Sequence, residues 1–257
     1  VYNPAMENYQ SVVALALILC LGTSIQSAAG FAAGLVIIPA LLWSGYGIPA
    51  AQCAVMVATF PQNAWGVWAL RDSIPFRQAI GFGIVRILFL PLGVWGVWTI
   101  DALPTETIRQ IVGGVVLIVT LSIMVVRPQP RPRVHPCWAA LAFPLSGLLQ
   151  GLVGMGGPPM VFWIQAHDWS DRRMRGFLFA VFLIGSLPSI TLLYLVFGDR
   201  IVGPGLLTAA LIPVLLVATY AGMRVGNWLG RDRLRSVTLW LLILMGLSGL
   251  AAPWMSR

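Results

Sequence analysis

Apolar residues along this chain gather into runs cut by Gly, Pro and small charge clusters. The runs are 11–28, 35–46, 48–70, 79–99, 106–126, 138–151, 158–167, 174–197, 206–226 and 234–254. A helix that crosses a bilayer needs about 20 apolar residues. Runs 48–70, 79–99, 106–126, 174–197, 206–226 and 234–254 meet that length and are predicted as full spans. Runs 35–46 and 158–167 are too short, about 15–18 Å at 1.5 Å per residue. Each short run follows a small-residue break. The first is Gly30-Phe31-Ala32-Ala33-Gly34, the second Gly154-Met155-Gly156-Gly157-Pro158-Pro159.

The order of elements repeats. A run ending at a break, a short arm and three full spans occupy 11–126, and the same order returns over 138–254. Between them 127–137, opening with Arg127-Pro128-Gln129-Pro130-Arg131-Pro132-Arg133, reads as a stiff cytoplasmic linker. Pro61 and Pro188 are each expected to interrupt the first full span after a break. Charge decides the relative orientation of the halves. If each broken segment enters and leaves on one side, that side collects Arg71, Arg77, Arg127, Arg131, Arg133, Arg172, Arg173, Arg175, Arg231, Arg233 and Arg235. The other side holds Arg109, Arg200 and Arg257. Counting each broken segment as a crossing leaves no bias, so the positive-inside rule favours the first arrangement. The expected fold is an all-α integral membrane protein, one transmembrane domain over 1–257, built of two inverted repeats. Each repeat is a re-entrant or broken helical hairpin plus three full transmembrane helices, with both termini outside the cytoplasmic (inner) membrane.

Composition supports the membrane reading. The chain is 58% hydrophobic and 9% charged, against about 25% charged in soluble domains. The net charge is +8, and every basic residue is Arg. These arginines sit in short loops between apolar runs, which points to the inner leaflet rather than to nucleic acid. Residues 1–10 carry Glu7 and no Arg, so they are not expected to be a signal peptide. Cys20, Cys53 and Cys137 are scattered and form no metal or disulfide pattern. The two histidines are His135 and His167, and neither a nucleophile–base pair nor a zinc motif is visible. The chain is therefore not expected to be an enzyme, and no metal or cofactor is implied. No Asp or Glu falls well inside a span, which argues against a cation site or a carboxylate proton relay. Tryptophans near span ends read as interfacial anchors.

The candidate chemistry lies at the two breaks. Irregular backbone at membrane depth must be buried in protein or line a wet cavity, and opposed helix breaks near the midplane are a common way to build a carrier site. The half-helices that start there point N–H groups at the gap, which suits an anion. Gly30, Ala33 and Gly34 are expected to form one wall, and Gly154, Gly156 and Gly157 the other, with Gly156→Leu expected to stop flux without unfolding the protein. Gln26 and Ser27 precede the first break and Gln150 the second. Each offers a polar group to the substrate, with an interhelical hydrogen bond as the plainer alternative. Asn63, with Gln62 after Pro61, and Ser186 and Ser189 around Pro188 are further candidates; near a proline such side chains also satisfy freed carbonyls. Arg86 lies within a span, where a charge is costly and usually functional, although it is close enough to the cytoplasmic end to snorkel. The expected partners are a small anionic substrate and the lipid bilayer, with ion coupling and self-association left open. A channel with paired re-entrant segments and a carboxylate transporter are the alternatives.

At the breaks the chain resembles the TauE/SafE family of sulfite and organosulfonate exporters. The first copy of the family pattern is SAAGFAAGLVIIPALL (27–42), in which Gly34 and Pro39 match. The second is GLLQGLVGMGGPPMVFW (147–163), in which Gly154, Gly156 and Gly157 match. Ala32 and Ala33 stand where glycines are usual, and Pro158 where a third glycine is usual. The resemblance implies export of sulfite, a sulfonate or a related small anion. The residues alone reach an anion held by helix N-termini and amides.

Overall fold

The computed structural model describes residues 4–29, 32–125, 131, 134–229 and 231–255. Gly30, and residues 127–130, 132 and 133 of the linker, lie outside the described residues. The order is α1 (Pro4–Ala29), α2 (Ala33–Trp43), α3 (Ile48–Leu70), α4 (Phe76–Ile100), α5 (Thr105–Val125), α6 (Pro136–Val153), α7 (Gly157–Gln165), α8 (Asp171–Phe197), α9 (Val202–Ala210), α10 (Ile212–Leu229) and α11 (Arg231–Met255). Short 3-10 turns at Arg71–Ser73 and Gly198–Ile201 complete the chain. The described residues form no sheet; a single bridge joins Arg131 to His167. Six segments are long and apolar enough to cross a membrane: Ser11–Ala28, Phe76–Ile100, Thr105–Val125, Pro136–Val153, Asp171–Ala210 and Ser236–Trp254. This is an all-α, multi-pass integral membrane protein.

Two spans differ from the hydropathy reading. The run 206–226 is not one helix but α9 and α10, parted at Leu211. Pro213 has no N–H to continue the ladder, so Leu211 N–H closes the first segment by donating to both the Leu207 and Thr208 carbonyls. Helix α3 has the length of a span but is absent from the six apolar segments. Its polar residues Gln52, Thr59, Gln62 and Asn63 are all buried against protein rather than lipid.

The short arms are apolar for a different reason than the spans. In α2 the side chains of Leu35, Val36, Ile37, Ile38, Leu41 and Leu42 are all buried, on every face of the helix. A helix apolar all round belongs at the centre of a bundle, and α2 lies in the larger core cluster with α1, α3 and parts of α5. Helix α7 is seated in a second cluster of Phe82, Phe143, Trp163 and Phe177, with Phe82 stacked on Phe143 at 4.2 Å. The outward faces of the longer helices carry Leu17, Leu88, Ile118, Leu195, Val217 and Leu244, all exposed. Trp65 and Trp68 at the end of α3, Trp95 and Trp98 at the end of α4, Trp138 at the start of α6 and Trp254 at the end of α11 are exposed as well. That is the placement expected of interfacial anchors.

Lipid is as apolar as leucine, so these helices associate by close packing at small residues. Where α4 crosses α6, a Cβ on Gly93 would land on the Leu148 carbonyl oxygen and one on Gly151 on that of Leu90. Where α10 crosses α1, a Cβ on Gly222 would meet the Ser24 carbonyl and Ser27 Oγ. Helices α5 and α11 meet through Gly113, Gly246 and Gly249. Helix α3 packs on α8, and α4 also packs on α8. Exchanging the first five helices for the last six turns the α4–α6 pair into α10–α1, α1–α2 into α6–α7, and leaves α3–α8 and α5–α11 unchanged.

Loop contacts define two ends of the bundle. At one, Arg200 Nη1 pairs with Asp101 Oδ2 at 2.7 Å. Arg109 lies over the Trp43 ring at 4.5 Å and donates to the Leu42 carbonyl through Nε (3.3 Å) and Nη2 (3.1 Å). At the other end the Arg131 N–H donates to the Ala166 carbonyl at 2.9 Å, and Ile74 packs with Trp163 and Phe177. Arg109 thus adds charged donors at the negative C-terminal end of α2, to a carbonyl that also accepts from the Gly45 N–H at 3.3 Å. Arg109→Ala is expected to destabilise the protein by about 1–2 kcal/mol, read as a lower thermal midpoint.

Candidate functional site

A cavity lies between the two helix breaks, about 470 Å³ of atom-free space with its open mouth included. Its walls come from α1 (Gln26), the start of α2 (Ala33, Gly34, Leu35), α3 (Val55, Met56, Thr59, Asn63), α4 (Arg86), the α6–α7 break (Gln150, Gly154, Gly156, Gly157) and α8 (Phe182, Ser186). The breaks touch each other: a Cβ on Gly34 would stand 2.5 Å from the Gly154 carbonyl oxygen. Gly154, with φ +67°, turns the chain in the left-handed region that favours glycine. Ala32 makes the matching turn at φ 94° without that freedom, so the first break holds a strained residue where the family pattern has glycine.

Arg86 dominates the polar wall. It projects from the middle of α4 and is 3% exposed, so it does not snorkel to an edge. Its Nε donates to Ser146 Oγ at 3.1 Å, Nη2 to Gln150 Oε1 at 2.8 Å and Nη1 to the Val181 carbonyl at 3.4 Å. The guanidinium also stands 5.4 Å from the centre of the Phe182 ring. All of these partners are neutral; among the described residues the ion pairs are Arg71–Asp72 and Arg200–Asp101. A buried charge without a counter-ion is among the most expensive features a fold can carry.

The network around Arg86 also shapes the second break. Ser146 Oγ accepts from Arg86 and donates to the Gly156 carbonyl. Gln150 Oε1 accepts from Arg86 and from the Gly156 N–H at 3.3 Å, and its Nε2 donates to Met56 Sδ at 3.5 Å. Across the cavity Gln26 Nε2 donates to Asn63 Oδ1 at 3.3 Å. That leaves Asn63 Nδ2 as a donor on the cavity wall with no hydrogen-bond partner among the described residues. Gln26 and Gln150 thus make interhelical bonds and line the cavity at once.

The geometry departs from the sequence expectations at several residues. Ser27 does not reach the cavity: its Oγ donates to the Ser24 carbonyl and faces Gly222 of α10, and its own carbonyl accepts from Arg175 Nη2 at 2.8 Å. Gly156 is close-packed by protein, since a Cβ there would meet the Ser146 carbonyl oxygen at 2.5 Å and Gln150 Cβ at 2.8 Å. Gly156→Leu is therefore expected to disrupt packing, not to block flux in a folded protein. The N-terminus of α7 is a poor donor, because Pro158 and Pro159 carry no N–H and the Gly156 N–H is already bonded to Gln150. Helix α2 starts without a side-chain cap, so the free N–H groups facing the cavity belong to Ala33, Gly34 and Leu35. Helices α3 and α8 run on through Pro61 and Pro188. Ser186 and Ser189 donate to the Phe182 and Gly185 carbonyls, not to the Ile184 carbonyl that Pro188 leaves free. Gln62 is buried with neither amide atom bonded, and it lies outside the cavity lining.

Ser146, Met56, Thr59 and Phe182 were not legible as site residues. Ser146 alone had a signal: it stands four residues before Gln150, so both fall on one face of α6.

A chain with these paired breaks matches the family model for the sulfite exporter TauE/SafE over residues 14–249. The chain belongs to the TauE/SafE family. A probable sulfite/organosulfonate exporter TauE of Cupriavidus necator is 26% identical over 244 residues, covering 92% of this chain and 93% of that protein. No solved structure matches. TauE/SafE proteins are transporters, in line with the expectation of a transporter and not an enzyme. Within the family frame, the Gly34 and Gly154–Gly157 positions that carry the resemblance are the ones at which the two breaks meet.

Proposed function

We propose that this TauE/SafE protein exports a small sulfur oxyanion, sulfite or an organosulfonate, across the cytoplasmic membrane by alternating access around the cavity between the two breaks. The observation that carries the reading is Arg86: a fully enclosed guanidinium on the cavity wall, bonded only to neutral groups. Folding does not place an unpaired cation there without cost, and an anion entering the cavity supplies the missing charge. Asn63 Nδ2 and the first N–H groups of α2 are the further donors to its oxygens. The relative from Cupriavidus necator, named as a probable sulfite/organosulfonate exporter, supports the sulfur assignment.

The two halves act as inverted repeats in this reading, supported by helix pairings that survive exchange of the halves. Arg71, Arg77, Arg131, Arg172 and Arg173 belong to the end where Ile74 meets Trp163, and the opposite end carries Arg109 and Arg200. By the positive-inside rule the first end is cytoplasmic, which puts both termini outside. A membrane potential negative inside drives an anion outward with about 2.3 kcal/mol per charge per 100 mV, so export requires no coupling ion.

The test is thermal unfolding of the purified protein with sulfite and ethanesulfonate against acetate and propionate. A ligand at 100 times its dissociation constant stabilises the native state by about 2.7 kcal/mol. A rise in midpoint with the sulfur anions alone is the expected result. A rise with the carboxylates alone would keep the anion site and discard the sulfur assignment, and no rise with any of them would move the reading to a weakly binding channel.

A further inference from the structure

The charge census of the cavity goes further than its sign. Arg86 is the one ionised side chain on the described lining, and no carboxylate is among the lining residues. Asp72, Asp101, Glu106, Asp168, Asp171 and Asp199 all stand in loops or in the first turns of helices. The helix ends add little to this single charge. Each break sets a helix C-terminus beside a helix N-terminus, α1 beside α2 and α6 beside α7, so their partial charges oppose one another. At the α6–α7 break the positive end is weaker still, because two of its N–H groups are replaced by prolines.

We propose, resting on the anion-site reading above, that this carrier selects monovalent oxyanions: hydrogensulfite and simple monosulfonates, and not sulfite dianion, sulfate or sulfoacetate. A monoanion beside Arg86 makes the described lining neutral. A dianion beside the buried Arg86 leaves one net negative charge with no countercharge among the described lining residues, and an uncompensated ion at a buried site is strongly disfavoured. The neutral donors present, Asn63 Nδ2 and the α2 N–H groups, can bond extra oxygens but bring no net charge. Zwitterionic aminosulfonates are excluded by the same census, since their ammonium group finds no carboxylate on the wall.

The experiment is a titration of the full-length protein, followed by thermal midpoint, with a series that shares one carbon skeleton. The ligands are ethanesulfonate (one negative charge), 1,2-ethanedisulfonate (two) and 2-aminoethanesulfonate (one of each sign), with sulfoacetate and sulfate added. Ethanesulfonate is expected to bind at least about 100-fold more tightly than either doubly charged sulfonate. The apparent affinity for total sulfite is expected to improve as the pH is lowered through neutrality, in proportion to the hydrogensulfite fraction, while that for ethanesulfonate stays level. Equal or tighter binding of the dianions, or a sulfite affinity that falls with the pH, would overturn monoanion selection and leave the anion site standing. Failure of every anion to bind would overturn the anion-site reading itself, and this proposal with it.

Discussion

Arg86→Gln is expected to weaken binding of the transported anion about 100-fold and to lower flux at limiting substrate by a similar factor. The guanidinium supplies the only countercharge among the described lining residues, and hydrogen bonds to charged groups are worth about 1.5–3 kcal/mol. At 1.4 kcal/mol per factor of ten, the upper end of that range is about two orders of magnitude. The variant has a second readout that a merely structural role would not produce. Glutamine can still donate to Ser146 or Gln150, while the unpaired buried charge is gone. The unliganded variant is therefore expected to melt at the same temperature as the native protein or above it, with the ligand-induced rise abolished. A lower unliganded midpoint with the anion response intact would show that Arg86 holds helices together and does not hold substrate. Arg86→Lys keeps the charge without the fork and is expected to fall between the two.

Gly93→Leu is expected to destabilise the protein by at least about 3 kcal/mol, the upper range for overpacking, and Gly81→Leu to leave stability unchanged. Both glycines lie in the same helix. A side chain at Gly93 would run into the Leu148 carbonyl, Gly151 Cα and the Leu152 N, all main chain of α6. Backbone cannot swing aside as a flexible side chain can, so α4 and α6 would have to part. Parting them also breaks the Arg86 bonds to Ser146 and Gln150 one to two turns away. At Gly81 a Cβ meets nothing within 4 Å. Paired thermal or denaturant unfolding in detergent checks the contrast; equal effects at the two positions would show that the α4–α6 crossing is not a close-packed one.

Hydropathy placed most of the architecture because membrane insertion is a local property of sequence. A run of some 20 apolar residues is stable in lipid as a helix whatever its neighbours are. Run 48–70 coincides with α3, and runs 79–99, 106–126 and 234–254 fall within three residues of α4, α5 and α11 at each end. The short arms were legible because Gly30–Gly34 and Gly154–Pro159 interrupt the runs with residues that cannot continue a helix smoothly. Pro213 was the same kind of signal inside run 206–226, but one proline among apolar residues is as compatible with a kink as with the break at Leu211.

The site was legible in its residue types and less so in their directions. Gln26, Ala33, Gly34, Asn63, Arg86, Gln150, Gly154, Gly156 and Gly157 all line one cavity, whereas Ser27, the next residue after Gln26, is turned toward α10. One residue along a helix is a rotation of about 100°, and the sequence near a break carries too few turns to say which face is inward. Arg86 was undecided between binding and snorkelling, since both begin from the same position on α4. What excluded snorkelling was Ser146 and Gln150 approaching from α6, sixty residues and more away in the chain.

The sequence by itself determined that the chain is a multi-pass helical membrane protein with two broken segments and two arginines, Arg86 and Arg224, within spans, because hydrophobic length, glycine and proline act through near neighbours. Only the tertiary structure decided that the breaks meet, that Gly156 has no room for a side chain even though it lines the cavity, and that Arg86 is buried with neutral partners. Those facts depend on which helices approach closely enough to touch, and that is set by small residues such as Gly93 and Gly151 whose contacts lie on other helices.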